Sequence, residues 1–278
     1  MRVVHEVISS NRDLLRGAAA EEGPRSERSA KQILGVLEYA VHAASQRINN
    51  EALHDPRKRG MGTTLSVLLV GDSNAYVAHV GDSRIYMIRG GVVNRVTEDH
   101  TVANELLRLG MVAPDQVHNV PRKNAITRAV GVYQHVEVDT LTLEVLPRDQ
   151  FLLASDGLCG YLDDLGADLC HMLAGLAGDE AVKSLIDFAN EQGGRDNITV
   201  VLVGLGGDAQ ADSGRVRRVT LKRDVMAAMP LFSRLNEREL LRLMQVAYVR
   251  QYEAGAQVVQ EGEPGYEEYQ ALLARRSA

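Results

Sequence analysis

At Gly60 the apolar pattern changes period, and that change restricts the chain to architectures in which helices cover antiparallel sheet. Before it, Val4, Ile8 and Leu15 fall on one helical stripe, with Val7 and Leu14 beside them, up to a break at Glu22-Gly23-Pro24. Ile33, Leu37, Val41, Ala44 and Ile48 then recur at three- and four-residue spacing, and Ser29 to Gln32 has the spacing of a capping box. A helix opening at Ser29 and laying one face on a sheet is predicted. After Gly60 the apolar runs are short and punctuated by Gly, Asp and Asn. They cover residues 63–70, 75–80, 84–88 and 92–96, with Gly90-Gly91 as a hairpin turn, and predict an antiparallel meander.

Helical spacing returns over 101–110, and the polar stretch 111–125, with Pro114 and Pro121, is expected to run irregularly over the surface. Alternation resumes over 136–145. A short buried run at 151–154, helical stretches at 164–176 and 178–191, and a strand at 198–203 complete the pattern. The fold class is therefore α+β, with sheets flanked by helices. Residues 206–218 (GGDAQADSGRVRR) carry little to bury and are read as a linker. A second segment, 219–278, holds an amphipathic helix over 235–249, with Asn236 as cap and Glu237 and Glu239 in its first turn, and a short strand over 257–260.

Composition narrows the function. The chain has no Trp and three Phe, so its core rests on Leu, Val, Ile and Ala and no base-stacking platform is available. A net charge of -6 argues against a polyanion as partner, so no nucleic acid is expected. The cysteines, Cys159 and Cys170, show no metal-ligand spacing, which suits a reducing compartment. The first dozen residues are charged and no 18-residue apolar run occurs, so no membrane contact and a cytoplasmic location are expected.

Three aspartates stand at strand ends in Gly-containing turns: Asp82 in Val-Gly-Asp-Ser-Arg, Asp156 in Ala-Ser-Asp-Gly-Leu and Asp196 in Gly-Gly-Arg-Asp-Asn-Ile. Carboxylates on rigid turns, with no His or Cys among them, suit hard cations such as Mg²⁺ or Mn²⁺ that take oxygen ligands and keep waters. Each taken alone is an ordinary turn residue accepting backbone N–H bonds. Their order with neighbouring motifs is more specific. Met-Gly-Thr-Thr at 61–64, Val-Gly-Asp-Ser-Arg at 80–84, Thr-Glu-Asp-His-Thr at 97–101, Ile-Thr-Arg-Ala-Val-Gly at 126–131, Leu-Ala-Ser-Asp-Gly-Leu at 153–158 and Gly-Arg-Asp-Asn-Ile-Thr-Val at 194–200 resemble the metal-dependent protein phosphatase 2C family in its bacterial form.

The resemblance covers residues 1–205 and implies a β-sandwich of two antiparallel sheets flanked by helices. It also implies hydrolysis of phosphoserine and phosphothreonine in proteins phosphorylated by a serine/threonine kinase. By the same resemblance Asp156 and Asp196 are the catalytic carboxylates that hold the second metal of a dinuclear Mg²⁺ or Mn²⁺ pair. Asp82 goes with a third, weaker metal that Asp156 also reaches; Asp99 and Thr101 are structural, and 102–125 is the variable flap. Arg128 is read as pairing with an acid, His79, His100 and Cys159 as packing. One part of the family pattern is absent from the 278 residues: the opening strands, with a phosphate-binding Arg and an Asp-Gly-Met-Gly-Gly segment whose Asp bridges both metals. Gly60-Met61-Gly62 lacks that Asp. The expectation is therefore a phosphatase domain without its N-terminal strands and of impaired activity, the alternative being a non-catalytic module that binds a phosphoprotein or kinase. Residues 230–265 resemble the opening of a cyclic nucleotide-binding domain, so a cyclic nucleotide is expected as ligand only of a longer parent.

Overall fold

The structure, a computed structural model, describes residues 1–19, 24–71, 73–162, 165, 168–173, 176, 178–207, 213–233, 235, 237–247, 252–253 and 255–257. Strands β1 (Leu65–Val70), β2 (Asn74–Val80) and β5 (Asp139–Glu144) form one antiparallel sheet in the order β1-β2-β5. Strands β3 (Arg84–Arg89), β4 (Val92–Arg95), β6 (Gln150–Ala154) and β7 (Val200–Gly204) form a second, in the order β4-β3-β6-β7. The meander predicted after Gly60 is thus shared between two sheets, the chain passing from one to the other at Gly81–Ser83.

Period-two alternation divides the side chains between faces. From the first sheet Tyr76, Ala78 and Val80 join a core with Val4, Leu15, Ile33, Leu37 and Val41 of α1 (Arg2–Ser10), α2 (Arg12–Ala19) and α3 (Pro24–His54). From the second, Tyr86, Ile88, Leu152 and Ala154 meet α5 (Asp156–Leu162), α6 (Asp168–Leu173) and α7 (Asp179–Glu191). The alternate residues Val77, Ile85, Met87, Leu143 and Phe151 are buried on the opposite faces, between the sheets. Residues 102–125 carry α4 (Val102–Arg108), capped by the Thr101 hydroxyl, and a 3-10 turn over Pro114–Asn119.

Three local readings change. Helix α3 begins at Pro24, so Ser29 is an interior, buried helical residue and not its cap; proline at the first helical position is an alternative start signal. Asp156 opens a helix, α5, where the two glycines of Asp-Gly-Leu-Cys-Gly suggested a turn; Leu158, Cys159 and Leu162 are buried in the second core, and that burial outweighs the propensity cost of glycine. Residues 213–218, read as the end of a linker, begin α8 (Ser213–Ala228), which buries Val219 and Met226. Helix α8 packs on α9 (Glu237–Val246), α9 lies against β5 and β4, and Lys222 pairs with Glu144 of β5 at 3.0 Å. Met1–Val246 is one compact unit. Asn236, residues 258–260 and the 265–278 tail lie outside the described residues. Among the described residues no helix is long and apolar enough to cross a membrane.

An ion pair that the sequence reading missed lies at the β3–β6 edge of the second sheet, and its arginine also reaches the first. Arg89 on β3 donates through Nε and Nη2 to Asp149 at 2.8 and 2.6 Å, and through Nη2 to the Glu144 carbonyl of β5 at 2.7 Å. Asp149 is 2% exposed and also accepts the Leu146 N–H at 2.7 Å.

Candidate active site

The three aspartates converge on one end of the sandwich because three chain crossings do. Asp82 lies in the passage from β2 to β3, Asp156 is the first residue of α5 directly after β6, and Asp196 precedes β7. β6 and β7 are hydrogen-bonded neighbours, and their link continues beyond the ladder. The Ser155 N–H donates to the Thr199 carbonyl, its hydroxyl donates to the Asn197 carbonyl at 3.1 Å, and the Thr199 N–H donates back to that hydroxyl at 3.0 Å. The two turns touch at Gly157, where a Cβ would fall 2.4 Å from the Asn197 carbonyl oxygen, so only glycine fits.

Asp156 and Asp196 are exposed, and one oxygen of each accepts the N–H of the next residue, at 2.9 and 2.7 Å. These local bonds aim the carboxylates and are also what an ordinary turn aspartate makes. Asp82 is different. Its carboxyl is pushed above the usual range first by burial and then by the negative charge of Asp156, the sign of a carboxylate crowded against another. Because burial, and next the Asp156 charge, disfavour its ionised form, Asp82→Asn is expected to raise the metal-free melting temperature by roughly 1–3 °C. Calorimetry in EDTA checks this; a fall of that size would mean that Asp82 is held by favourable bonds.

Two crowded carboxylates and a third on the adjoining turn, all oxygen donors, fit a hard divalent cation in chemistry. In number the set is short. Among the described residues no three histidine, cysteine or acidic side chains stand close enough together to hold an ion, so waters or further ligands would complete any shell.

The surrounding motif residues are engaged in contacts of their own. Asp99 pairs with Arg84 at 2.7 Å and with Arg95, and Arg84 also donates to the Cys159 carbonyl at 3.3 Å, bracing α5 against β3. Arg128 pairs with Asp139 at 3.0 Å and Glu137 at 3.1 Å. Cys159 is buried, its thiol pushed up to about 11 by that burial, and is chemically quiet. The Thr64 side chain packs against Gly81, and its hydroxyl bonds that of Ser83 at 2.9 Å, so the Gly-Thr-Thr motif props the Asp82 turn.

The same fold and motif order recur in known proteins. The sequence profile of the family described as Protein phosphatase 2C matches residues 4–198. The chain belongs to that family. Membership makes it a protein phosphatase, a hydrolase of the serine/threonine type. Protein phosphatase PhpP of Streptococcus pneumoniae serotype 2 (strain D39) is 39% identical over 175 residues, 61% of this chain and 70% of that protein. The serine/threonine phosphatase PstP/Ppp of Mycobacterium tuberculosis superposes with a TM-score of 0.58 at 30% identity, over 73% of this chain and 84% of its own. The catalytic domain of PstP, solved in complex with two manganese ions, gives a TM-score of 0.57 at 29% identity, over 73% and 80%. The phosphatase 2C sandwich of two antiparallel sheets flanked by helices is thus the fold of this chain.

Proposed function

We propose that this protein is a metal-dependent phosphatase of phosphoserine and phosphothreonine in proteins, with Asp156 and Asp196 as the carboxylates that hold Mg²⁺ or Mn²⁺ and Asp82 serving a further, weaker ion. The observation that carries the reading is the contact of the Asp156 and Asp196 turns at Gly157, with the Asp156 charge felt at Asp82. A bound dication supplies an acidified water and charge stabilisation at phosphorus. The protein's own part is to fix the carboxylates on turns braced by Ser155, Arg84 and Thr64 and to present them at an open end of the sandwich, where a phosphorylated segment has access. The substrates are products of a serine/threonine kinase.

The 278 residues contain no Asp-Gly-Met-Gly-Gly segment, and without a bridging carboxylate two close dications lack anionic compensation. Hydrolysis by these residues alone is therefore weak. The same observation favours the second reading, a binding module for a phosphoprotein or kinase. A nucleotide-binding role for residues 219–278 rests on the resemblance of 230–265 alone.

The test is Mn²⁺-dependent hydrolysis of p-nitrophenyl phosphate and a phosphothreonine peptide, with and without an N-terminal extension carrying an Asp-Gly-Met-Gly-Gly segment. The extended protein is expected to turn over about 10²–10³-fold faster, the size of a metal-borne stabilisation of a few kcal/mol. Asp156→Asn should abolish its turnover. Equal rates with and without the segment would sink the impairment, and turnover indifferent to Mn²⁺ or to Asp156→Asn would sink the metal reading.

A further inference from the structure

We propose that His79 and His100 are positioning residues of the metal site: two buried imidazoles clamp the Gly81 peptide and thereby fix the direction in which Asp82 projects. The inference rests on the reading of Asp82 as a metal ligand.

Gly81 has no slack of its own. Its φ of +111° is one that side-chain-bearing residues rarely adopt, and a Cβ there would stand 2.4 Å from the Thr64 side chain. Each polar group of Gly81 is held by a histidine. Its N–H donates to His100 Nδ1 at 3.0 Å, while its carbonyl accepts from the His100 backbone N–H at 2.8 Å and faces His79 Nε2 at 3.1 Å. Both rings are buried, with centroids 5.0 Å apart.

The hydrogen bonds assign the protons. His100 Nδ1 receives a backbone N–H, so it carries no proton and the ring's hydrogen sits on Nε2. Arg128 Nη1, 3.3 Å away, therefore cannot donate to Nε2, and the Nε2 proton points to Asp139, whose carboxylate lies 3.5 Å off. Asp139 is in turn held well below the usual carboxylate range, first by the hydrogen bond from His100 and then by Arg128. His79 Nε2 lies between two carbonyls, Gly81 at 3.1 Å and Glu98 at 3.0 Å, so it too is protonated, and Nδ1 accepts from the Ser66 hydroxyl at 2.9 Å. Burial lowers the His79 pKa to about 4, which keeps this ring neutral. A chain Asp139–His100–Gly81 thus runs from β5 of the first sheet into the turn that carries Asp82, in the manner of a carboxylate that sets a histidine tautomer behind a metal ligand.

Asparagine and alanine at position 100 separate positioning from bulk structure. Asn places an amide oxygen where Nδ1 was and retains the bond from the Gly81 N–H; Ala removes it. Amide exchange of Gly81 in the metal-free protein is expected to rise at least ~100-fold in His100→Ala and to stay near wild type in His100→Asn. Mn²⁺ broadening of the Asp82 and Ser83 amide resonances should need at least ~10-fold more Mn²⁺ in His100→Ala than in the other two. Nitrogen-15 spectra should show both rings as Nε2–H tautomers. An Nδ1–H tautomer at His100, or equal Gly81 exchange in all three proteins, overturns the clamp. Equal broadening in all three overturns the positioning role. No broadening even in wild type overturns Asp82 as a metal ligand, and the Gly81 exchange still decides the clamp. If His100→Ala does not fold, His79→Gln, which keeps a donor at the Nε2 position, against His79→Leu, which does not, gives the same comparison.

Discussion

Asp149→Ala is expected to cost about 3–5 kcal/mol of stability, the range for breaking a buried ion pair by removing one partner. It lowers the melting temperature by roughly 10 °C in a chain of this size. Arg89 would keep only the Glu144 carbonyl as an acceptor in this brace, and the Leu146 N–H would lose its partner at 2.7 Å. The cost is that of stranding polar groups, not of losing attraction in water. The pair Arg89→Met with Asp149→Leu removes both charges and should recover more than half of the loss, because a matched apolar pair leaves no buried charge behind. Urea unfolding of the two variants beside wild type measures both numbers. A loss below ~1 kcal/mol in Asp149→Ala would show that water or a neighbouring group takes over the stranded Arg89 and Leu146 donors. A double variant no better than the single one would show that the cost is one of packing.

Gly157→Ala sets two effects of opposite sign against each other. Gly157 lies in helix α5, where alanine is favoured over glycine by up to about 1 kcal/mol. The added methyl would meet the Asn197 carbonyl oxygen at 2.4 Å and its carbonyl carbon at 3.0 Å. These are backbone atoms pinned on the far side by Ser155, and overpacking of that kind costs roughly 1–3 kcal/mol. The contact should win, leaving a net destabilisation of about 1–2 kcal/mol. Relief comes by moving the Asp156 turn away from the Asp196 turn, so Mn²⁺ affinity, read by calorimetric titration, should fall at least ~10-fold. A more stable Gly157→Ala protein with unchanged affinity would mean that the turns separate freely, and the contact proposed to bring the catalytic carboxylates together would have no force.

Much of the architecture was legible because burial imposes a period. Ile33, Leu37, Val41 and Ala44 announce one face of α3, and the short apolar run over 75–80, closed by Gly81, announces β2, which is buried almost throughout. The three aspartates were legible through motif order, and the structure gathers their turns at one end of the sandwich. Local signals failed where a distant partner outweighed them. The Ser29 capping box is genuine spacing inside a helix that starts five residues earlier. The Asp-Gly-Leu-Cys-Gly stretch has poor helix propensity and is helical because Leu158, Cys159 and Leu162 have a core to enter. Arg217 and Arg218 read as the end of a linker, yet the helix they belong to buries Val219 and Met226, and its Lys222 reaches Glu144, 78 residues away in sequence.

What the sequence determined by itself was the class of fold and the places where the chain must turn, both properties of a few neighbouring residues. Tertiary structure alone decided which turns touch, which carboxylates crowd, and which way the Gly81 peptide is held. Ser155 finds Asn197 across 42 positions, Arg89 finds Asp149 across 60, and His100 finds Gly81 across 19. Such pairings leave no periodic trace, because a hydrogen bond constrains only its two ends, and these come together only when the sheets are assembled.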